Sequence, residues 1–400
     1  EHTLSIHLSR PYYNVLNDLA MVMPRGILSA SAFNADGSLN NDYLLTHTPG
    51  TGPYMFESVN ETATAYRFVR NPFYWGTAPD VESFSVTIIP ESKVLAMKSG
   101  KVDFIIGSGT LDAASYYELI ESDDITGVIS DFDFVTEFIA LNDDKFPLDD
   151  RNLRTAMQMG IDKDAIAKNI YAGLRRAADS VMPESMPYCR ADVKTPRYDR
   201  QAAIALLEAD GWMDADGDGI REKEGTALRF TITYPANGVY DRLVLYFQSA
   251  MKELGIEVRT DPLDLMVFFS KVFMDVDYEL TAYMSYWFPY DPYTFIANMY
   301  PSTDYTDPDG IYSTDPQVAK CLASLTDAEA RKLIGGLYVY DDESRIQSIY
   351  TRALNSANES SVVIPLNYRH EYAVFNNKKI SGYSFNSIPN HVDVAAIRLR

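Results

Sequence analysis

From residue 135 to residue 300 the hydrophobic pattern switches repeatedly between strand and helix periods, and that alternation limits the folds open to the chain. Phe134–Leu141 and Leu228–Tyr234 read as strands, and Ile256–Arg259 as the strand after a helix. Between them, Asp149–Met159, Lys163–Ala172, Arg200–Ala209 and Tyr240–Leu254 carry apolar side chains at helical spacing. Leu153, Ala156 and Met157 share one helix face, and Leu206 and Leu207 turn inward. Asp162 is placed to cap the second helix, while Gly173 and Gly255 are placed as stops. Helices alternating with strands predict an α/β domain with a mixed or parallel sheet. The 400 residues provide two or three domains' worth of chain.

Outside that region the signals are shorter. Thr3–Leu8 alternates like a strand, and Val15–Met23 reads as a helix with Asn14 as its cap. Tyr54–Ser58 and Thr64–Arg70 predict a hairpin, Phe84–Pro90 a strand, Lys93–Ser99 a helix stopped at Gly100, and Val102–Ile106 a buried strand. Later, Leu265–Met274, Val318–Ser324 and Glu343–Ala357 read as helices, and Val362–Pro365 and Glu371–Phe375 as strands. The chain opens directly in a strand-like segment, with no signal peptide or lipid-anchor Cys, so its start reads as a cut edge.

Tyr283–Tyr300 concentrates Tyr283, Tyr286, Trp287, Phe288, Tyr290, Tyr293, Phe295 and Tyr300, far above the chain's 12% aromatic content. Pro289 and Pro292 prevent one regular helix through its middle. A strand leads in and a helical turn leads out, a connection at which open α/β sheets place ligands. The rings could equally fill a core. Asp291 between the two prolines is a carboxylate for a ligand ammonium or a cap for the following turn.

Other function classes are cut back by composition. The net charge of −21 argues against a nucleic-acid partner, which needs clustered Lys and Arg. Cys189 and Cys321 exclude a Cys-based zinc site and could form one disulfide. No run of about 18 apolar residues marks a membrane span. Nucleophile elbow, P-loop, HExxH and dinucleotide fingerprint are all missing, which disfavours an enzyme, though plentiful carboxylates leave a hydrolase open. Asp214, Asp216 and Asp218, with Gly219 sixth, match the first half of a calcium loop, but the twelfth position is Gly225 instead of Glu. The alternative there is a plain surface hairpin.

At Gly50–Tyr54 (GTGPY) and Arg70–Gly76 (RNPFYWG) the sequence resembles the extracytoplasmic solute-binding proteins, family 5, of peptide and nickel ABC importers. Ordered matches continue through Ile88-Ile89-Pro90, Ala96–Asp103, Leu141-Asn142, Asp150–Ala156 and Gly160–Lys163. They extend through Tyr198-Asp199, Ala202–Ala209 with Gly211-Trp212, Arg345–Tyr350 and Ile364–Leu366. The first two motifs read as scaffold, with the rings of Arg70–Gly76 packing under their lobe.

The resemblance implies a two-lobed α/β clamp of the class II periplasmic-binding-protein type. The first lobe would be 1–135 plus 369–400 and the second 136–368, with a further N-terminal part of the first lobe expected before Glu1. It implies a monomeric, extracytoplasmic, lipid-anchored carrier that delivers its ligand to a membrane permease. Tyr286–Pro292 (YWFPYDP) is similar to the nickel branch, with Trp287 where that branch has glycine, which makes a nickel chelate the expected ligand and a dipeptide or oligopeptide the alternative. A glycoside stacked on the rings is a weaker option. Tyr286, Trp287, Tyr290 and Asp291 are the expected ligand contacts. Arg25, displaced from the family's position, and Arg369 are the candidates for the chelator's carboxylates. His370 is the candidate metal ligand, against a purely structural role.

Overall fold

The computed structural model describes residues 3–8, 15–20, 27–107, 110–236, 238, 240–285, 342–386, 388 and 391–400. The chain divides into two compact units. The smaller is Asp18–Asp131 with Glu371–Arg400, and the larger is Glu1–Asn17 with Phe132–His370. Residues 3–8, expected as a strand, are exposed and irregular. No described strand pairs with them, and alternation alone does not hold a lone strand in water.

In the smaller unit, β1 (Tyr54–Val59), β2 (Ala65–Arg70) and β3 (Ser83–Thr87) form an antiparallel sheet in that order. Phe68 sits opposite both Phe56 and Phe84 and stacks on the latter at 5.1 Å, a cross-strand pairing that fixes register. Asn71 ties the two scaffold motifs together. Its backbone N–H donates to Pro53 O and its Nδ2 to Gly52 O, both at 2.8 Å. Phe73 and Trp75, expected to pack under the lobe, are instead 86% and 80% exposed.

Helix α1 (Lys93–Lys98) is capped by Ser92 and ends before Gly100 at φ +73°. After β4 (Phe104–Ile106) comes α2 (Ala113–Ile120), a helix the sequence reading does not anticipate. Asp112 caps it, accepting from Ser115 N at 2.7 Å, and Ala113, Tyr116 and Leu119 are buried at helical spacing.

The long strand β5 (Ile125–Leu141) carries the chain into the larger unit. Then follow α3 (Arg151–Met159), α4 (Lys163–Ala165) continuing as a π-helical turn Ile166–Ile170, β6 (Arg175–Ala177) and α5 (Arg200–Ala209). Three of these helices start on an Asp whose carboxylate accepts a backbone N–H: Asp150, Asp162 and Asp199. A short hairpin, β7 (Glu222–Lys223) and β8 (Thr226–Ala227), precedes β9 (Arg229–Pro235), α6 (Asp241–Lys252), β10 (Glu257–Leu263) and β11 (Leu280–Met284). Leu265–Met274 is helical, its second half a π turn. Last come α7 (Glu343–Ser360) and β12 (Val363–Asn376), a single strand where two are expected. The helix expected at Val318–Ser324 lies outside the described residues.

The larger unit's sheet runs β10-β9-β11-β5-β12, with β6 also on β12. β9 pairs in parallel with β10 and β11, and β11 is antiparallel to β5, so the sheet is mixed. Val135–Leu141 is buried at every residue for which burial is described, the mark of a strand covered on both faces. Leu153, Met157, Leu207, Phe247 and Leu354 supply that cover from the helices.

Candidate functional site

One charged residue interrupts the buried run of β5. Glu137 is 0% exposed, and a carboxylate at such a site needs donors. Arg175 on β6 forms a direct ion pair with its Oε2. Tyr171 Oη donates to the same oxygen at 2.8 Å and Asn367 Nδ2 at 3.2 Å. The Arg175 guanidinium also lies 3.7 Å from the Tyr171 ring centroid and donates to Asn367 Oδ1 at 3.3 Å. Burial pushes the Tyr171 hydroxyl far above the usual phenol range, so it stays a donor. The other carboxylate oxygen, Oε1, has no hydrogen-bond partner among the described residues.

Strand register brings further groups to this face. Met284 on β11 stands opposite Glu137, and Arg175 opposite Arg369. Arg369, 1% exposed, directs Nη1 to Met284 Sδ at 3.5 Å. The next residue, Ser285, is pinned to β5: its N–H donates to Thr136 O at 2.8 Å and its Oγ accepts from Thr136 N at 2.9 Å. Arg369 therefore sits beside the end of β11, whose Met284 is two residues before Tyr286 in the chain. Tyr286, Trp287, Tyr290, Asp291 and Arg25 themselves lie outside the described residues.

His370 follows Arg369 on β12, and successive strand residues point to opposite faces. Its Nδ1 lies 3.1 Å from Phe132 O. A carbonyl only accepts, so Nδ1 is the donor in this contact. The two candidates thus serve different faces of one strand. Sequence reasoning passes over Glu137, Arg175, Tyr171 and Asn367. The available signal is a lone acidic residue inside an apolar strand, since such residues are rarely buried unpaired.

In the acidic loop, the oxygens of Asp214, Asp216 and Asp218 lie within 4.8 Å of one another and all three residues are exposed. Asp214 accepts from Gly217 N at 2.8 Å and Gly219 N at 3.1 Å, Asp216 from Asp218 N at 3.0 Å, and Asp218 from Ile220 N at 2.8 Å. Arg229 bonds the second Asp218 oxygen at 3.1 Å. Glu222 accepts from Ala215 N at 2.9 Å. Glu224 and Gly225, both at positive φ, make the two-residue turn between β7 and β8, so the twelfth position is a turn and not a ligand.

Residues 1–307 match the model of the bacterial extracellular solute-binding proteins, family 5 (middle), and the chain belongs to that family. It is 26% identical over 374 residues to the nickel-binding periplasmic protein of Escherichia coli (strain K12), covering 91% of this chain and 67% of that relative. To the dipeptide-binding protein of the same organism it is 28% identical over 214 residues, 53% of this chain and 39% of the relative. NikA from Brucella suis, solved in complex with Fe(III)-EDTA, has the same fold, with a TM-score of 0.86 at 23% identity over 98% of this chain and 76% of that one. NikZ from Campylobacter jejuni, in complex with Ni(L-His), gives a TM-score of 0.75 at 18% identity, covering 98% and 76%. The fold is the mixed α/β periplasmic-binding-protein fold. The family binds solutes for transport and is not enzymatic, which removes the hydrolase reading. No described helix is long and apolar enough to cross a membrane.

Proposed function

We propose that this chain is the extracytoplasmic substrate-binding component of an ABC importer that captures a nickel chelate, or a similar small metallophore complex, for a membrane permease. The observation that carries this reading is Arg369, a buried guanidinium whose Nη1 lies 3.5 Å from Met284 Sδ, and Met284 is two residues before Tyr286 in the chain. A chelator's carboxylates suit the planar fork of arginine, and a protein of net charge −21 needs such a local cation to hold an anionic complex. The nickel-binding relative, aligned over 91% of this chain, supports the same ligand class. In this reading Tyr286, Trp287 and Tyr290 stack on the chelator, and Asp291 and Arg25 supply the remaining polar contacts. His370 faces away from Arg369, so the chelator, rather than the protein, supplies most of the metal's ligands.

A second reading rests on Glu137. Its buried Oε1, without a hydrogen-bond partner among the described residues, is an acceptor suited to a peptide's α-amino group, and the dipeptide-binding relative favours it. Calorimetric titration with nickel–histidine and with a dipeptide series separates the two. Saturable binding of the metal complex, weakened by Arg369→Gln, is expected; binding of dipeptides alone would replace the first reading with the second.

A further inference from the structure

A concavity lies wholly within the larger unit. The start of α3 and the last turns of α7 border an open cleft of about 390 Å³ lined by Arg151, Arg154, Arg352, Ser356, Glu359 and Ser360. Its size falls within the range of small-ligand sites. Arg151 and Arg154, three apart on α3, reach the same side of their helix. Arg352, Ser356 and Ser360, four apart on α7, line one face of theirs.

The two α3 arginines are held in place by main-chain carbonyls. Arg151 Nε donates to Glu359 O at 3.0 Å, and Arg154 Nε to Ser360 O at 3.0 Å. Arg154 Nη1 donates to Leu148 O at 2.7 Å. Capping the end of α7 accounts for the two Nε bonds, and the Nη1 bond ties Arg154 to the turn before its own helix. Neither role accounts for the terminal nitrogens of Arg151 or for Arg154 Nη2, which have no partner among the described residues. Arg154 is 6% exposed, and burial weighs against its charge, with Asp143 and Asp150 offsetting that cost and Arg151 adding to it. An anion in the cleft would offset it further. Glu359 is the one acidic side chain in the lining.

We propose that this cleft binds a small free oxyanion bearing a phosphate, sulfate or carboxylate group. The terminal N–H groups of Arg151 and Arg154, already oriented by their Nε bonds, donate to it together with the Ser356 hydroxyl. Preformed donors of this kind need little ordering on binding. This site is separate from the Arg369 face and stands whichever transported ligand is correct.

The test is calorimetric titration of the full chain with inorganic phosphate at ionic strength held constant by sodium chloride, with malonate as competitor. Saturable one-to-one phosphate binding displaced by malonate is expected. Arg151→Gln should weaken it about tenfold, the loss of one charge-assisted bond. Ser356→Asp leaves both arginine–carbonyl bonds intact and should abolish binding by placing a carboxylate in the cleft; it decides the question if Arg151→Gln melts early. No saturable heat up to about 10 mM phosphate, or affinity unchanged by Ser356→Asp, overturns the proposal.

Discussion

Replacing Arg175 by Met tests whether the Glu137 cluster holds the larger unit together. Glu137 is 0% and Arg175 7% exposed, so water cannot take over the lost partner. Tyr171 and Asn367 would still donate to Glu137 Oε2, but both are neutral and the carboxylate would remain buried without a counter-charge. Breaking one side of such a pair costs about 3–5 kcal/mol, against about 0–1 for an exposed pair. For a unit of this size that is about 6–20 °C of melting temperature, at about 2–4 °C per kcal/mol. The double variant Glu137→Gln/Arg175→Met removes both charges and should recover a large part of the loss, because no unpaired ion remains. Urea unfolding followed by circular dichroism measures both of these and the Glu137→Gln single variant. A cost below about 1 kcal/mol for Arg175→Met, or a double variant equal to the sum of the singles, would refute the reasoning.

The half-buried Lys163 ammonium donates to Ala178 O at 2.9 Å and is held down to about 8 by desolvation, with Asp179 opposing. Its unfolded value is about 10.4, so between the two the unfolded chain holds the extra proton and stability rises with pH. Lys163→Met should flatten that rise between about pH 8 and about 9.5, read from urea midpoints; an unchanged slope would contradict it. The Asp214–Asp218 carboxylates already accept backbone N–H groups, and Asp218 also holds Arg229. Calcium should therefore move the melting temperature by less than about 1 °C relative to chelator, and a larger rise would establish a bound ion. Trp287→Ala and Tyr290→Ala should each weaken ligand binding with the melting temperature nearly unchanged; a loss of about 3–5 kcal/mol in stability would make them core residues.

The parts of the fold readable from sequence are those in which local signals agree. Leu153, Ala156 and Met157 predict a helix face, and Asp150 supplies its cap in the structure. Gly173 and Gly255, at φ +84° and +78°, end their helices as expected. Long-range pairing was less visible. Residues 3–8 alternate well but find no described partner strand, while Val363–Asn376 continues through Pro365 because strands on both sides hold it. Helix α2 is missed although Asp112 marks its start and Tyr116 and Leu119 fall on its buried face. The Glu137 cluster joins residues 137, 171, 175 and 367, and only the sheet brings those positions together. The opposite facing of Arg369 and His370, by contrast, follows from strand alternation alone.

Native mass spectrometry of the full-length protein, isolated without added ligand, tests the central claim most directly. The account predicts one added mass carrying a metal isotope pattern, lost on treatment with acid and restored by nickel–histidine. A ladder of added masses that fragment as peptides, with no metal signature, would contradict it.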